Sequence, residues 1–378
     1  MTIKGDDATA PPSEVEEDDV GLADMKNVLM DTQIRDFKTG KKKSYWSVAM
    51  ETMGMAGGKD GAGDLWLETV EQGVPMLRKY IKEKNAKLAE EQASAKKKLP
   101  FDSWMDLVPL EEFRTTETNF VKSFLKWAIK DREDVKEGTE EAKLVVNASK
   151  ARRRMDSYFD WMKDNMAEDL AANPLTLESI MPAAKVWDLN HTHLKDDQFG
   201  WWFDIATMDQ KALKAMDDQE NLRYVVWYSH LVMFDTKAQD NGVLMIQGMN
   251  KVGFWATMTL IPMELSAKMD RLTIGVLPIK MKGIYIFGAA RWLHLMMNLM
   301  KPFLSKKMRE RMIIVTEKMA PDTQLYCDEE FGRAYVPDGF LGVQGDLPHN
   351  DGIEKFKKRC KKKEKKAAQK AKEKENAE

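Results

Sequence analysis

Residues Met281–Arg311 read MKGIYIFGAARWLHLMMNLMKPFLSKKMRER and are the most informative stretch of this chain. They predict a strand, then a very apolar helix, then a dense group of cations. At ~100° per residue, the apolar side chains of this helix cover roughly 220° of its circumference, well beyond the ~100° of a helix with one core-facing side. Such a helix is either buried on all sides or in contact with two apolar surfaces. A lid between an apolar cavity and a lipid bilayer is one example of the second arrangement.

The composition indicates a folded protein with two charged ends. The chain has 378 residues, of which 43% are apolar and 9% aromatic, enough for one large domain or two moderate ones. Its net charge of −2 hides an acidic first 20 residues and a lysine-rich end, and both compositions predict disorder or a single helix. Two cysteines, Cys327 and Cys360, give neither a disulfide framework nor a metal-binding spacing.

The compartment is inferred from what the sequence lacks. There is no signal-peptide core at the N-terminus and no apolar run of the roughly 18 residues that a membrane-spanning helix needs. Together with the low cysteine content, this predicts a cytoplasmic protein that associates with membranes only peripherally.

We predict four regions, namely an acidic tail with a flexible linker (1–63), a helical region (64–180), a domain of alternating strands and helices (181–346) and a basic low-complexity tail (347–378). In the helical region, a polar helix is predicted at 65–98. Thr116 and Asn119 can cap a second helix, and a third is predicted from about 142 to 165.

The third region predicts a sheet. Strands are expected at 200–203, 243–247, 283–287 and 312–315. Helices at 222–237, at 255–275 and in the opening segment connect them, so the sheet is largely parallel with crossover helices. The predicted fold class is therefore α/β, with an all-helical N-terminal part.

No catalytic constellation is present. The chain has no phosphate-binding glycine loop, no dinucleotide fingerprint and no nucleophile elbow. His191 and His193 occupy a predicted loop, where alternate spacing could bring both imidazoles to one metal. A third ligand is not evident, although Asp188 and Asp196 are nearby, and two solvated loop histidines are the simpler interpretation. We predict no enzyme activity, no metal site and no cofactor.

Motifs around the opening segment point to a family. Its strand follows Pro-x-Lys-x-Lys-Gly at 278–283, and its helix ends in Lys-Pro-Phe-Leu-Ser at 301–305. The strand Gly-Val-Leu-Met-Ile at 242–246 follows a helix, and Phe-Leu-Lys at 124–126 precedes one. In this order the elements resemble the CRAL-TRIO lipid-binding domain family, over roughly residues 113–346.

The resemblance implies a cavity between a sheet floor and a mobile lid helix, here Ala290–Leu304, which encloses one lipid, sterol or isoprenoid. The candidate pocket and lid residues are Phe203, Met245, Met258, Ile261, Leu265, Tyr285, Phe287, Trp292, Leu295, Met296, Leu299 and Phe303. The 27 methionines suit an irregular ligand, and ordinary core filling explains them equally well.

The resemblance also implies a headgroup site. In the tocopherol-transfer branch of the family, basic residues hold a phosphoinositide headgroup, and Lys126, Lys280, Lys307 and Arg311 match those positions. Lys282 and Arg309 extend the same cluster. The phosphatidylinositol-transfer branch has an acidic residue and a Thr where this chain has Ile279 and Met308, so the tocopherol-transfer and retinaldehyde-binding branch is the better match.

The expected partners are therefore the hydrophobic ligand and an anionic or phosphoinositide membrane surface. A solvated cationic surface is the alternative for the cluster. For the tail, a membrane tether, a nucleic-acid arm and a solubilising segment stay open, and no nucleic-acid partner is expected.

Two functions follow from the same fold. The first is a non-enzymatic carrier that exchanges its ligand at membranes when the lid opens. The second is a scaffold or phosphoinositide sensor whose cavity is plugged. The residues large enough to plug it are Trp201, Trp202, Met245, Tyr285, Phe287 and Trp292. A cavity of several hundred Å³ would favour the carrier.

Overall fold

The computed structural model describes most of the chain. The described residues are 28–35, 41–48, 51, 63–96, 98–130, 145–205, 207–249, 252–300, 306–348 and 351–375. Among them, no helix is both long and apolar enough to cross a bilayer.

The N-terminal region is mainly helical. Its helices are α1 (Val70–Ser94), α2 (Glu117–Trp127), α3 (Ala148–Ala172) and α4 (Leu177–Trp187). Thr116 caps α2 by accepting a hydrogen bond from the Asn119 backbone N–H, as predicted. The aromatic side chains of Phe120, Phe124 and Tyr158 are fully buried between these helices.

Three short strands lie in this region, and two of them occupy residues that were predicted to be helical. The strands β3 (Trp66–Leu67), β4 (Ile129–Lys130) and β5 (Val145–Asn147) form an antiparallel sheet in the order β3-β5-β4. Because β3 and β5 are paired, α1 begins at Val70 rather than at residue 65, and α3 begins at Ala148 rather than near 142.

The predicted parallel sheet is confirmed. It contains β6 (Asn190–His193), β7 (Phe199–Asp204), β8 (Val243–Gly248), β9 (Met281–Phe287) and β10 (Met312–Val315), in the order β10-β9-β8-β7-β6. Strands β7 to β10 are parallel, and β6 is an antiparallel edge strand. The prediction of a loop at His191 and His193 is therefore wrong. Both lie on β6, because Asn190–His193 pairs with Phe199–Trp202.

Helices on both faces connect and cover these strands. They are α5 (Gln210–Ala215), α6 (Asp218–Met233), α7 (Thr236–Asn241), α8 (Phe254–Met258), α9 (Met263–Asp270), α10 (Arg291–Met300), α11 (Lys306–Arg311) and α12 (Thr323–Glu330). The single helix predicted at 255–275 is wrong. It is divided into α8, α9 and a π-helical segment, Arg271–Val276, because Pro262 cannot continue a helix and instead stands at the N-cap of α9.

Ordered elements occur in both terminal regions, and the helix in the basic region is one of the two outcomes that its composition predicted. Within the predicted tail and linker, β1 (Gln33–Arg35) pairs with β2 (Lys42–Ser44), and Ile34 and Val48 are buried against Ala267 of α9. Within the predicted basic tail, Asp351–Glu375 forms α13. Its Ile353 and Phe356 are each 4% exposed and join the main core, because the first turns of α13 carry a short apolar stripe.

A buried arginine joins the helical region to the sheet domain. Arg154 of α3 donates hydrogen bonds to the carbonyls of Ile274 (2.6 Å), Leu277 (2.7 Å) and Gly275, at the end of the π-helical segment. Burial lowers the pKa of Arg154, and the guanidinium still stays protonated at neutral pH. The two regions consequently share one hydrophobic core.

Candidate functional site

An apolar cavity of about 380 Å³ lies against one face of the five-stranded sheet. Trp201 and Phe203 of β7 and Met245 and Gln247 of β8 form its floor. Successive side chains of a strand point to opposite faces, so the intervening Trp202, Leu244 and Ile246 belong to a second core on the far side. Every second residue of β7 and β8 therefore faces the cavity, and the residues between them face the opposite side of the sheet.

Helix α10 contributes two side chains to the cavity wall. Trp292 and Met296 line it, and the Trp292 indole Nε1 donates to the Val252 carbonyl at 2.9 Å. The Trp292 ring also contacts the Phe254 ring, with centroids 5.4 Å apart. The indole is thus fixed on two sides, and α10 covers part of the cavity.

The structure brings five of the twelve predicted pocket and lid residues to the cavity: Phe203, Met245, Ile261, Trp292 and Met296.

The other predicted pocket residues lie elsewhere. Leu265 is buried in the same core and Leu295 is half-buried against it, and neither lines the cavity. Tyr285 and Phe287 lie in the second core, on the opposite face of the sheet. The side chains of Met258 and Leu299, and all of Phe303, fall outside the described residues.

The N-terminal segment supplies lining residues that the sequence did not indicate. Leu29 and Tyr45 both line the cavity, although they precede the sheet by more than a hundred residues in the chain. The Tyr45 hydroxyl lies near the Ser266 side chain of α9. No local pattern in residues 28–48 could reveal these contacts, because each is made with an element distant in sequence.

One ionised side chain opens into this apolar space. Asp270, the last residue of α9, lines the cavity with an exposed side chain, and the protein around it raises the pKa of its carboxyl group. Burial and the nearby Asp270 carboxylate together raise the pKa of the Tyr45 hydroxyl above its usual value. An aspartate inside a predicted helix gives no signal in the sequence, since most such residues face solvent.

Four of the six predicted headgroup cations lie around the amino ends of β8, β9 and β10. Lys126 Nζ is 2.7 Å from Asp240 Oδ1, just before β8. Lys280 precedes β9, and its carbonyl accepts from the Val243 N–H at 2.9 Å, while Lys282 is exposed at the start of β9. Arg311 precedes Met312, the first residue of β10, and burial lowers its pKa.

The remaining two headgroup candidates come from α11. Arg309 is exposed and lines a separate cavity of about 210 Å³, between α10 and β10, together with His294 and Met297. Lys307 lies on α11, and its side chain is outside the described residues.

A polar cleft of about 440 Å³ lies beside the edge strand β6. His191 Nδ1 is 3.1 Å from the Tyr228 hydroxyl, and burial lowers the pKa of this imidazole to about 3. His193 Nε2 is 3.0 Å from Asp235, which also faces Arg359 of α13 at 3.7 Å. The two imidazoles are thus engaged in separate hydrogen bonds, and no cluster of three metal-ligating side chains occurs among the described residues.

Comparison with known proteins agrees with this geometry. No curated protein sequence matches the chain. The family model described as the CRAL/TRIO domain matches residues 191–335, which contain all of the five-stranded sheet except Asn190, most of the cavity lining and helix α10. Residues 191–335 therefore form a domain of the CRAL/TRIO family.

Proposed function

We propose that the protein binds one hydrophobic molecule in the apolar cavity and exchanges it with anionic membranes when α10 opens. The observation that carries this proposal is the cavity of about 380 Å³ between the sheet and α10, inside a domain of a lipid-binding family. Each methylene group transferred from water into such a space contributes ~0.8 kcal/mol. A cavity of this kind can therefore compete with a bilayer for a lipid, a sterol or an isoprenoid.

The same cavity argues against the scaffold alternative. Of the six residues large enough to plug it, Trp202, Tyr285 and Phe287 point away from it into the second core. The other three, Trp201, Met245 and Trp292, line the space without filling it. A volume of several hundred Å³ is in the range of small-molecule sites.

Two features support exchange at a membrane surface. Lys280, Lys282 and Arg311 lie at the amino ends of β9 and β10, and α11, with Arg309, follows α10 in the chain. Each Lys or Arg near an anionic leaflet contributes ~1 kcal/mol of attraction. The apolar sides of α10 would then face the bilayer as the helix opens.

The ligand is tested by native mass spectrometry and lipid extraction of the full chain purified from its own cell type. We expect one hydrophobic molecule per protein, released by organic solvent. Protein that is folded and carries no extractable lipid, sterol or isoprenoid would contradict the carrier proposal.

The membrane surface is tested with the double variant Lys282→Ala, Arg309→Ala. Loss of two cations should weaken binding to phosphatidylcholine vesicles that contain phosphatidylserine by about 30-fold at low salt, from ~1 kcal/mol for each cation. Vesicle flotation measures the bound fraction. The matched control is Lys361→Ala, Lys362→Ala, two exposed residues of α13, which should bind like wild type. Equal binding of both double variants would count against the proposed surface.

A further inference from the structure

We infer that the polar cleft beside β6 is a second binding site, which holds a phosphate group of a small molecule on hydrogen-bond donors from Arg359 and Lys195. This site is separate from the apolar cavity, with which it shares no lining residue. A lipid headgroup and a soluble phosphate ester both carry the required group.

The cleft is built on a packed apolar base. Three of its lining residues, Phe199, Leu231 and Phe356, are between 1% and 4% exposed. Strand β6 and the turn after it form one wall, and the first turns of α13 form the other. Since Ile353 and Phe356 anchor α13 in the main core, hydrophobic packing holds the second wall in place.

Cations outnumber carboxylates around the cleft. The charged lining residues are Lys195, Lys237, Lys355 and Arg359 against Asp197 and Asp235. Asp197 pairs with Lys237. Asp235 is only 6% exposed, and it accepts hydrogen bonds from His193 Nε2 (3.0 Å) and the Ala238 N–H (2.9 Å). Both carboxylates are therefore compensated, and the charge that faces the opening is positive.

The Arg359 guanidinium is held in place and still has donors for a ligand. It lies 3.7 Å from Asp235 Oδ2 and over the Phe356 ring, 5.6 Å from the ring centroid. Neither contact is a hydrogen bond, and no described residue accepts one from this side chain. A guanidinium can donate to two oxygens of one phosphate group, so this side chain suits an oxyanion.

Lys195 supplies donors from the opposite wall. Its ammonium group donates to the Glu329 carbonyl, which positions the side chain and leaves further N–H groups for a ligand. Lys355 adds positive charge. It and Arg359 both lower the pKa of His191, after the larger effect of burial, so both cations lie close to the inside of the cleft.

The shape and charge of the cleft favour a small phosphate ester. A volume of about 440 Å³ is in the range of small-molecule sites. A phosphate monoester carries roughly two negative charges at neutral pH, so it balances the cations better than a carboxylate does. The α13 wall lies beyond residue 335, where the match to the family model ends, so this cleft is not a feature of the matched domain alone.

The test measures binding of inositol 1,4-bisphosphate to the full-length protein by isothermal titration calorimetry, at about 0.15 M salt. We expect one site per protein, and no binding of unphosphorylated inositol. Arg359→Gln and Lys195→Gln should each weaken binding about tenfold, because each removes a charge-assisted hydrogen bond. The two side chains are exposed and lie on separate elements, so each variant is a test independent of how the other folds.

The matched control is Lys358→Gln. Lys358 is exposed, adjoins Arg359 in the chain and does not line the cleft, so the variant loses the same charge at the wrong place. It should weaken binding by less than about threefold, since salt screens a charge outside the site. Displacement of Nile red by hexadecanol reports on the apolar cavity, and it should be the same in wild type and Arg359→Gln.

Vesicles identify the source of the phosphate group. Phosphatidylcholine vesicles with phosphatidylinositol 4-phosphate are added to protein that holds the soluble bisphosphate, and vesicles of phosphatidylcholine alone serve as the blank. Displacement by the first vesicles assigns the site to a lipid headgroup, and retention assigns it to a soluble phosphate ester. Either result supports a phosphate site in the cleft.

Failure of wild type to bind inositol 1,4-bisphosphate would overturn the inference. Equal losses in Lys358→Gln and Arg359→Gln would also overturn it, because they would show a diffuse attraction to α13 rather than a defined site. Both outcomes leave the carrier proposal intact, since that proposal depends on a hydrophobic ligand in the other cavity.

Discussion

The two faces of the five-stranded sheet are built from similar residues and are covered in different ways. On one face, Trp201 and Met245 border a cavity of about 380 Å³ beneath α9 and α10. On the other, Trp202 and Ile246 lie in a core closed by α12 and the segment that follows it. Both faces of the sheet therefore carry large apolar side chains, and the helices and segments that cover each face decide which one can hold a ligand.

Ring contacts show how completely the second face is filled. The Trp202 ring meets both Phe331 and Phe340 edge-on, with each pair of centroids 5.2 Å apart. Tyr285 also meets Phe331 at 5.2 Å, and its hydroxyl donates to Glu330 at 2.8 Å. On the cavity face, the Trp201 ring stacks on Tyr228 at 5.2 Å and has the cavity beside it.

The largest predicted effect comes from truncating the filled face. Trp202→Ala should lower the free energy of unfolding by about 3–5 kcal/mol, because the side chain is 1% exposed and its neighbours cannot collapse into the space. Urea unfolding followed by circular dichroism measures the change.

Trp201→Ala is the matched control, since it removes the same side chain from the adjacent position on the other face. Its stability loss should be smaller, because Trp201 already borders open space, while hexadecanol affinity should fall. An equal or larger stability loss than for Trp202→Ala would remove the proposed difference between the faces.

A second effect concerns buried histidines on the cavity side of the sheet. His230 of α6 donates from Nδ1 to the Val226 carbonyl (2.7 Å), so its Nε2 accepts from the Tyr158 hydroxyl (2.8 Å). Burial lowers its pKa to about 4, below the ~6.5 of an unfolded chain. The neutral ring therefore contributes stability that is complete above about pH 6.5 and lost as the pH falls towards 4, up to about 3 kcal/mol.

His230→Gln should be less stable than wild type at about pH 7.5 and should lose less stability between pH 6.5 and 4. Urea midpoints across this range measure the slope, and a slope unchanged by the substitution would contradict the assignment. His191, whose pKa burial lowers to about 3, contributes in the same direction.

The smallest predicted effect separates ligand capacity from stability. Met245→Trp adds a larger side chain to the cavity floor, so hexadecanol affinity should fall about tenfold, which is ~1.4 kcal/mol. Stability should change by less than about 1 kcal/mol, since the indole enters open space.

Ile246→Trp is the control from the next position of β8, facing the filled core. Overpacking there should cost about 1–3 kcal/mol of stability, and the folded protein should still bind hexadecanol. Loss of binding in Ile246→Trp but not in Met245→Trp would reverse the assignment of the two faces.

The sequence predicted the parallel sheet but did not show which side chains of each strand face the cavity. Alternating strands and helices were enough to predict a parallel sheet. Because such sheets are covered on both faces, both alternations of each strand are apolar, as in Gly283–Phe287. Tyr285 and Phe287 were accordingly expected in the pocket, whereas Ile284 and Ile286 occupy the cavity-side core.

The remaining differences arise from contacts distant in the chain. Leu29 and Tyr45 reach the cavity from a segment whose composition predicted a tail and linker. Phe356 reaches the core from a segment that is mostly lysine, where a short apolar stripe is outweighed by the surrounding charge. Asp270 lines the cavity from the last position of α9, and a single sequence does not record that placement.

Arg154, which joins α3 to the π-helical segment, shows that the limits of the matched domain differ from the limits of the folded unit. Residues 191–335 are what a family comparison recognises, but Arg154 lies before that interval and Ile353 and Phe356 lie after it. A gene fragment ending at the recognised limits would leave three inward-facing carbonyls without their donor and uncover an apolar surface at the other end. The unit that must fold together in this protein is therefore longer, at both ends, than the residues that the family model matches.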